Sequence, residues 1–95
     1  MQFTFTAGAR RDIEDVYRWY REIRTPLGHE FLAELRQTIG TIMERPTSFP
    51  EVEARVRRAL CPNFPYKIFY SIRDDEVRIH AVYHESRDPK RWKRH

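Results

Sequence analysis

One cysteine, three glycines and no long apolar run mark what this 95-residue chain has least of, and each scarcity excludes something. Cys61 by itself cannot close an internal disulfide, and no spacing of Cys and His matches a zinc site, so neither kind of staple is available to the fold. A membrane-spanning helix needs roughly 18 consecutive apolar residues, and no run comes near that. The amino terminus, MQFTFTAGARRDIED, lacks the continuous apolar segment of a signal peptide. The expectation is a cytoplasmic protein with no membrane partner. Also missing are a glycine-rich phosphate loop, a Ser or Cys nucleophile with an identifiable base, and an acidic cluster suited to magnesium. No cofactor and no metal are expected.

Hydrophobic residues make up 40% of the chain and aromatic residues 14%, enough for a folded core, while 34% charged residues leaves an ionic exterior. The length allows one domain, residues 1–95, with a single modest core. Charge is unevenly placed. Residues 1–53 hold 7 Lys and Arg against 9 Asp and Glu, a net of −2, whereas residues 54–95 hold 11 against 5, a net of +6. The carboxyl-terminal half therefore suits a polyanionic or acidic partner, nucleic acid or protein.

Phe3 and Phe5 alternate with Gln2 and Thr4, which reads as a short first strand. Ala9, Ile13, Val16, Tyr17, Tyr20 and Ile23 then recur at helical spacing, with Thr6 as N-cap, predicting a helix over 7–24. A break at Thr25 and Pro26, where Thr caps and Pro suits the first turn, leads to a second apolar stripe of Phe31, Leu35, Ile39, Ile42 and Met43, ending at Pro46. So short a break makes the two helices an antiparallel hairpin. Residues 46–53, rich in Pro and acid, read as a connection, and residues 54–61 as a second strand, with Val56, Arg58 and Leu60 alternating against Arg55, Arg57, Ala59 and Cys61.

The last third carries most information. Tyr66, Ile68, Tyr70 and Ile72 alternate with Lys67, Phe69 and Ser71; Val77, Ile79, Ala81 and Tyr83 alternate with Arg78, His80, Val82 and His84. Pairing Ile72 with Val77 across the polar residues 73–76 puts the apolar set on one face of a hairpin and leaves Lys67, Phe69, Ser71, Arg78, His80, Val82 and His84 on the other. The predicted order is β-α-α-β-β-β: a two-layer α+β sandwich, its helical hairpin packed on one face of an antiparallel sheet, its other face open for a ligand.

In that order of elements the chain resembles the RelE and ParE superfamily of toxins from type II toxin-antitoxin modules. The resemblance rests on the alanine-led first helix, the GHEFLAEL opening of the second, the strand FPYKIFY and the ending AVYHESRDPKRW. It implies a small toxin silenced by a cognate antitoxin that wraps an extended, partly helical tail around it, usually in heterotetramers or larger assemblies. Two mechanisms share that fold. ParE-like members poison DNA gyrase; RelE-like members cleave messenger RNA on the ribosome. The ending HESRDPKRW is more similar to ParE-like and plasmid-stabilisation members, so growth inhibition through gyrase is the first expectation and ribosome-dependent mRNA cleavage the alternative. A nontoxic partner-binding relative of the same fold is a third.

A metal-independent ribonuclease must activate a ribose hydroxyl, stabilise the phosphate and protonate a leaving oxygen, which needs His, Lys, Arg or Tyr side chains to converge. Arg57, Lys67, Tyr83, His84 and Arg87 are the residues this chain can offer. On the gyrase reading, Arg57, Lys67, Phe69, His80, Val82, His84, Arg87 and Trp92 form the surface for target or antitoxin. Each has a plainer reading beside the functional one. His84 is an acid, a base or a contact, or else a strand-end histidine bonded to a local carbonyl. His80 is a contact or a half-buried structural residue. Arg57 and Lys67 bind anions or are solvated strand cations. Arg87 pairs locally with Asp88 or contributes to toxicity. Trp92 stacks on a base, enters a target protein or anchors the tail.

Overall fold

A computed structural model describes residues 1–87 as seven elements in order: β1 (Gln2–Phe5), α1 (Ala7–Ile23), α2 (Thr25–Glu44), β2 (Glu51–Glu53), β3 (Val56–Leu60), β4 (Tyr66–Arg73) and β5 (Glu76–His84). The strands form one sheet in the order β1-β5-β4-β3-β2, with both helices on one face. The α+β sandwich expected from the sequence is what forms. Two details differ. β2 lies within the stretch read as a connection, and the sheet is mixed, because β1 runs parallel to β5 while every other pair is antiparallel. The two differences are linked: β2 adds one reversal of direction after the helical hairpin, so the fourth strand of the meander runs the same way as β1.

Thr6 starts α1 as predicted. Its hydroxyl oxygen accepts the Ala9 N–H at 3.1 Å and donates to the His80 carbonyl at 3.1 Å, so one side chain caps the helix and ties it to β5. Ala9 is fully buried, and Ile13, Val16 and Tyr20 pack on the sheet. Ile23, expected on the same stripe, is exposed at the last position of α1. The helices turn on a single extended residue, Arg24, which precedes Thr25 and makes no side-chain cap; Thr25 is therefore the first helical residue and not the cap. Gly28 eases the close approach of the hairpin: a Cβ there would stand 3.1 Å from the Tyr17 ring, so a larger residue would need that ring to give by a few tenths of an ångström. Phe31, Leu35, Ile39 and Ile42 of α2 meet Ala59, Ile68, Tyr70, Val77 and Ile79 of the sheet in the main core. Burying each large aliphatic or aromatic side chain contributes on the order of 1.5–3 kcal/mol.

Glu34 is the buried charge of α2. Its carboxylate accepts the N–H groups of Asn63 and Phe64 at 2.8 and 2.7 Å and the Asn63 side-chain amide at 2.8 Å, which fastens the turn between β3 and β4 to the helix. No helix among the described residues is long and apolar enough to cross a membrane.

Candidate functional site

The pairing of Ile72 with Val77 is present, and Arg73 pairs with Glu76 across a turn in which Asp74 takes a left-handed conformation, φ 55°. From there the alternation holds only as far as Ile79. Tyr70 pairs with Ile79 and Phe69 with Ala81, so His80 is an extra residue in a β-bulge. A bulge reverses the parity of every residue beyond it. Val82 consequently joins the helix-facing core, while Ala81 and Tyr83 join Phe69 and Val56 in a second cluster on the helix-free face. This overturns the expected sides of Ala81, Val82, Tyr83 and His84.

The bulge has identifiable supports on α1. β1 ends at Phe5, and beyond it the exposed edge of β5 is met by the helix: Thr6 bonds the His80 carbonyl, and the Asp12 carboxylate accepts the Val82 N–H at 3.0 Å. Burial pushes the Asp12 carboxyl above its ordinary value of 3.8, with the Val82 N–H and the nearby Arg87 charge opposing. His80 sits half-buried on the helix-free side with its Nε2 2.7 Å from the Ser71 hydroxyl. Burial, assisted by the Arg78 charge, holds that imidazole below its ordinary value of 6.5, so it is neutral at pH 7.

The structure separates the remaining predicted residues. Arg57 pairs with Tyr70 on the helix side, where its guanidinium donates to the carbonyls of Thr47 and Phe49 at 3.0 and 2.6 Å. It braces the connection after α2, as the Tyr70 hydroxyl does by donating to the Pro46 carbonyl at 2.6 Å. Arg57 and Lys67 therefore do not share a face, contrary to expectation. The cation beside Lys67 and Phe69 is Arg58, which pairs with Phe69. His84 lies at the strand end with its ring 5.4 Å from that of Tyr66, and its Nδ1 accepts the Ser86 N–H at 3.1 Å and contacts the Ser86 hydroxyl at 2.9 Å. Its partner is Ser86 in the turn after the strand and not the local carbonyl of the plainer reading. Arg87 lies over the Tyr83 ring, 4.1 Å from its centroid, and Tyr83 packs against Phe69 at 5.7 Å. Trp92 lies outside the described residues.

The helix-free face thus brings together Arg58, Lys67, Phe69, Ser71, His80, Tyr83 and Arg87, and excludes Arg57, Val82 and His84. Its centre is buried, so it is not the open platform the alternation suggested. A surface missed in the sequence lies on the other side of the molecule. Phe3 and Phe5 of β1, Ile13 of α1, and Leu32, Leu35, Ile39 and Met43 of α2 line an apolar groove of about 700 Å³, with Arg10, Glu14 and Arg36 among its polar residues. Its signal was present in the apolar positions of β1 and α2, but which residues of an apolar stripe stay uncovered depends on where the helices cross the sheet. Among the described residues, no group of three or more His, Cys, Asp or Glu side chains is placed to hold a metal ion.

With this geometry stands a match of residues 3–89 to the family model of the ParE toxin of the type II toxin-antitoxin system, parDE. Among solved structures, one described as the chromosomal ParDE TA system from P. aeruginosa superposes with a TM-score of 0.77 at 15% identity, over 88% of this chain and 95% of that one. Likeness at that identity speaks for the fold. No match emerges from the curated proteins.

Proposed function

The chain belongs to the ParE toxin family of type II toxin-antitoxin systems, and from that premise we propose that it inhibits growth by poisoning DNA gyrase and is neutralised by a cognate antitoxin. The observation that carries the choice of target is the dispersal of the would-be ribonuclease groups. Arg57 points to the helix side and is bonded to two backbone carbonyls, His84 is folded into its own turn, and Lys67, Tyr83 and Arg87 stand on the opposite face. General acid-base cleavage of RNA needs these groups within hydrogen-bond reach of one phosphate. A protein target requires no such convergence.

The apolar groove between β1 and the helices supports the antitoxin half of the proposal. It offers seven apolar side chains in one concavity, and Arg10 and Arg36 beside them suit carboxylates at the edges of an amphipathic segment. A partner segment of alternating apolar and acidic character would bury the first and pair with the second.

The deciding experiment incubates antitoxin-free, full-length toxin with gyrase and supercoiled plasmid. Accumulation of cleaved, protein-linked plasmid in the presence of ATP is the expected result. Absence of such complexes at a large molar excess, together with cleavage of mRNA on ribosomes, would transfer the activity to the other branch of the superfamily.

A further inference from the structure

On the helix-free face the His80 Nε2 stands 2.7 Å from the Ser71 hydroxyl, a short contact between neighbouring strands. The bulge aims the imidazole, and its backbone is fixed on both sides: Thr6 donates to the His80 carbonyl and Asp12 accepts the Val82 N–H. Both members of the pair are half-buried, so the contact is partly desolvated yet open to a small molecule. Burial and the Arg78 charge keep the imidazole neutral at pH 7, and a neutral ring whose Nε2 is the free nitrogen accepts the Ser71 proton. Four charged groups surround the pair. Arg78 lies opposite Ser71 on β5, and Arg58 lies one diagonal step away on β3, which places their Cβ atoms about 5 Å and roughly 7–8 Å from that of Ser71 at ordinary sheet spacing. Glu76 holds Arg78 at 3.4 Å, and Asp12 is engaged by the Val82 N–H. Among the described residues, no carboxylate bonds the imidazole.

We propose that Ser71 is a nucleophile that accepts one phosphoryl group, with His80 as its general base and with Arg78 and Arg58 holding an anionic donor of the acyl phosphate class. A serine hydroxyl is a weak nucleophile until an adjacent base takes its proton, and His80 is placed to do so. The Ser71 Oγ–P bond forms as the bond from phosphorus to the leaving group breaks. The leaving group departs with that electron pair, and the hydroxyl proton passes to His80 Nε2. Two cations beside the serine suit a donor that carries negative charge. The groups missing from the pair limit its chemistry. β4 is an inner strand paired along both edges, so the ladders occupy its N–H groups and leave none for an oxyanion hole. Phosphate monoesters hydrolyse extremely slowly without a dedicated catalyst, so Ser71 is a modification site and not a centre of turnover. The product adds about 1.5 to 2 negative charges beside Arg78 and Arg58 at pH 7, which weakens this face toward a polyanionic or acidic partner. The inference is independent of which target the toxin attacks.

Acetyl phosphate probes the anionic donor and a neutral alkyl fluorophosphonate probes the nucleophile alone, each on the antitoxin-free, full-length protein with peptide mass spectrometry as the readout. Both are expected to leave a phosphorus adduct on Ser71 that is absent from Ser71→Ala. The fluorophosphonate rate should rise with pH and level off above the His80 value, which lies below 6.5, because only the neutral ring takes the proton. His80→Gln, which keeps a side chain able to bond Ser71, should slow that rate ~100-fold or more while the far-ultraviolet circular dichroism stays the same. Arg78→Gln should slow the reaction with acetyl phosphate and spare the one with the neutral probe. No Ser71 adduct with the fluorophosphonate in the folded protein would overturn the proposal, as would an adduct that forms equally fast in His80→Gln. Labelling by the fluorophosphonate without any by acetyl phosphate would overturn the anionic donor.

Discussion

Glu34 shows how one side chain can hold a junction. Burial by itself pushes its carboxyl up, but the three N–H groups from Asn63 and Phe64 outweigh this and bring it below its ordinary value of 4.5. A folded-state value below the unfolded one means the stabilisation is complete above about 4.5 and is lost as pH falls through the folded value. Glu34→Gln replaces one of the accepting oxygens by a donor facing donors, and should cost about 2–3 kcal/mol at pH 7. Urea midpoints measure it, and the gap between parent and variant should narrow at pH 3; an equal gap at both values would show that the charge does not matter. Cys61, nearby in the core, is the opposite kind of residue. Burial pushes its thiol up to about 11, so it behaves as a small apolar side chain.

Among elements, the β2–β3 hairpin and the bulge in β5 were the least visible in the sequence. The hairpin turns through Arg55 at φ 63°, a left-handed conformation that costs a non-glycine residue about 1–2 kcal/mol, with the Arg55 N–H bonded to the Glu51 carboxylate at 3.1 Å. Neither Ala54 nor Arg55 is a turn-forming residue, so nothing in the composition announced it. Arg55→Gly should raise stability by about 0.5–1 kcal/mol once the extra unfolded-state entropy of glycine is subtracted, read as a higher melting temperature. A lower one would mean that the strain is not relieved. The bulge was hidden for another reason. Ala81, Val82 and Tyr83 are all apolar, so the pattern reads equally well in either parity, and the choice falls to Thr6 and Asp12 of α1, distant in sequence. By contrast α1, α2, β1, β4 and the first half of β5 were legible, because each has a strict period of its own and a cap or turn at its end.

For the molecule as a whole, function depends on how surfaces are apportioned. The groove beside β1 includes Gly40, and a Cβ built there meets nothing within 4 Å. Gly40→Leu should therefore preserve the fold, gaining up to about 1 kcal/mol of helix propensity, while it places a side chain at the groove. If an antitoxin segment docks there, its affinity should fall about tenfold or more, a loss of about 1.4 kcal/mol, and co-expressed antitoxin should no longer restore growth while the toxin still arrests it. Full rescue of the Gly40→Leu variant would remove the groove from the interface.

Local periodicity, caps, charge and order along the chain were enough for the two-layer α+β plan, the helical hairpin, the Ile72 and Val77 register, the cationic second half and the family. Which side each candidate residue takes was set by contacts between separate parts of the chain. Arg57 was claimed by backbone carbonyls of the α2–β2 connection, His84 by its own turn, and the parity of Val82 and Tyr83 by a bulge braced from α1. A strand's alternation fixes which residues share a face only while its register is unbroken, and that register is set by contacts between segments some 70 residues apart in the chain.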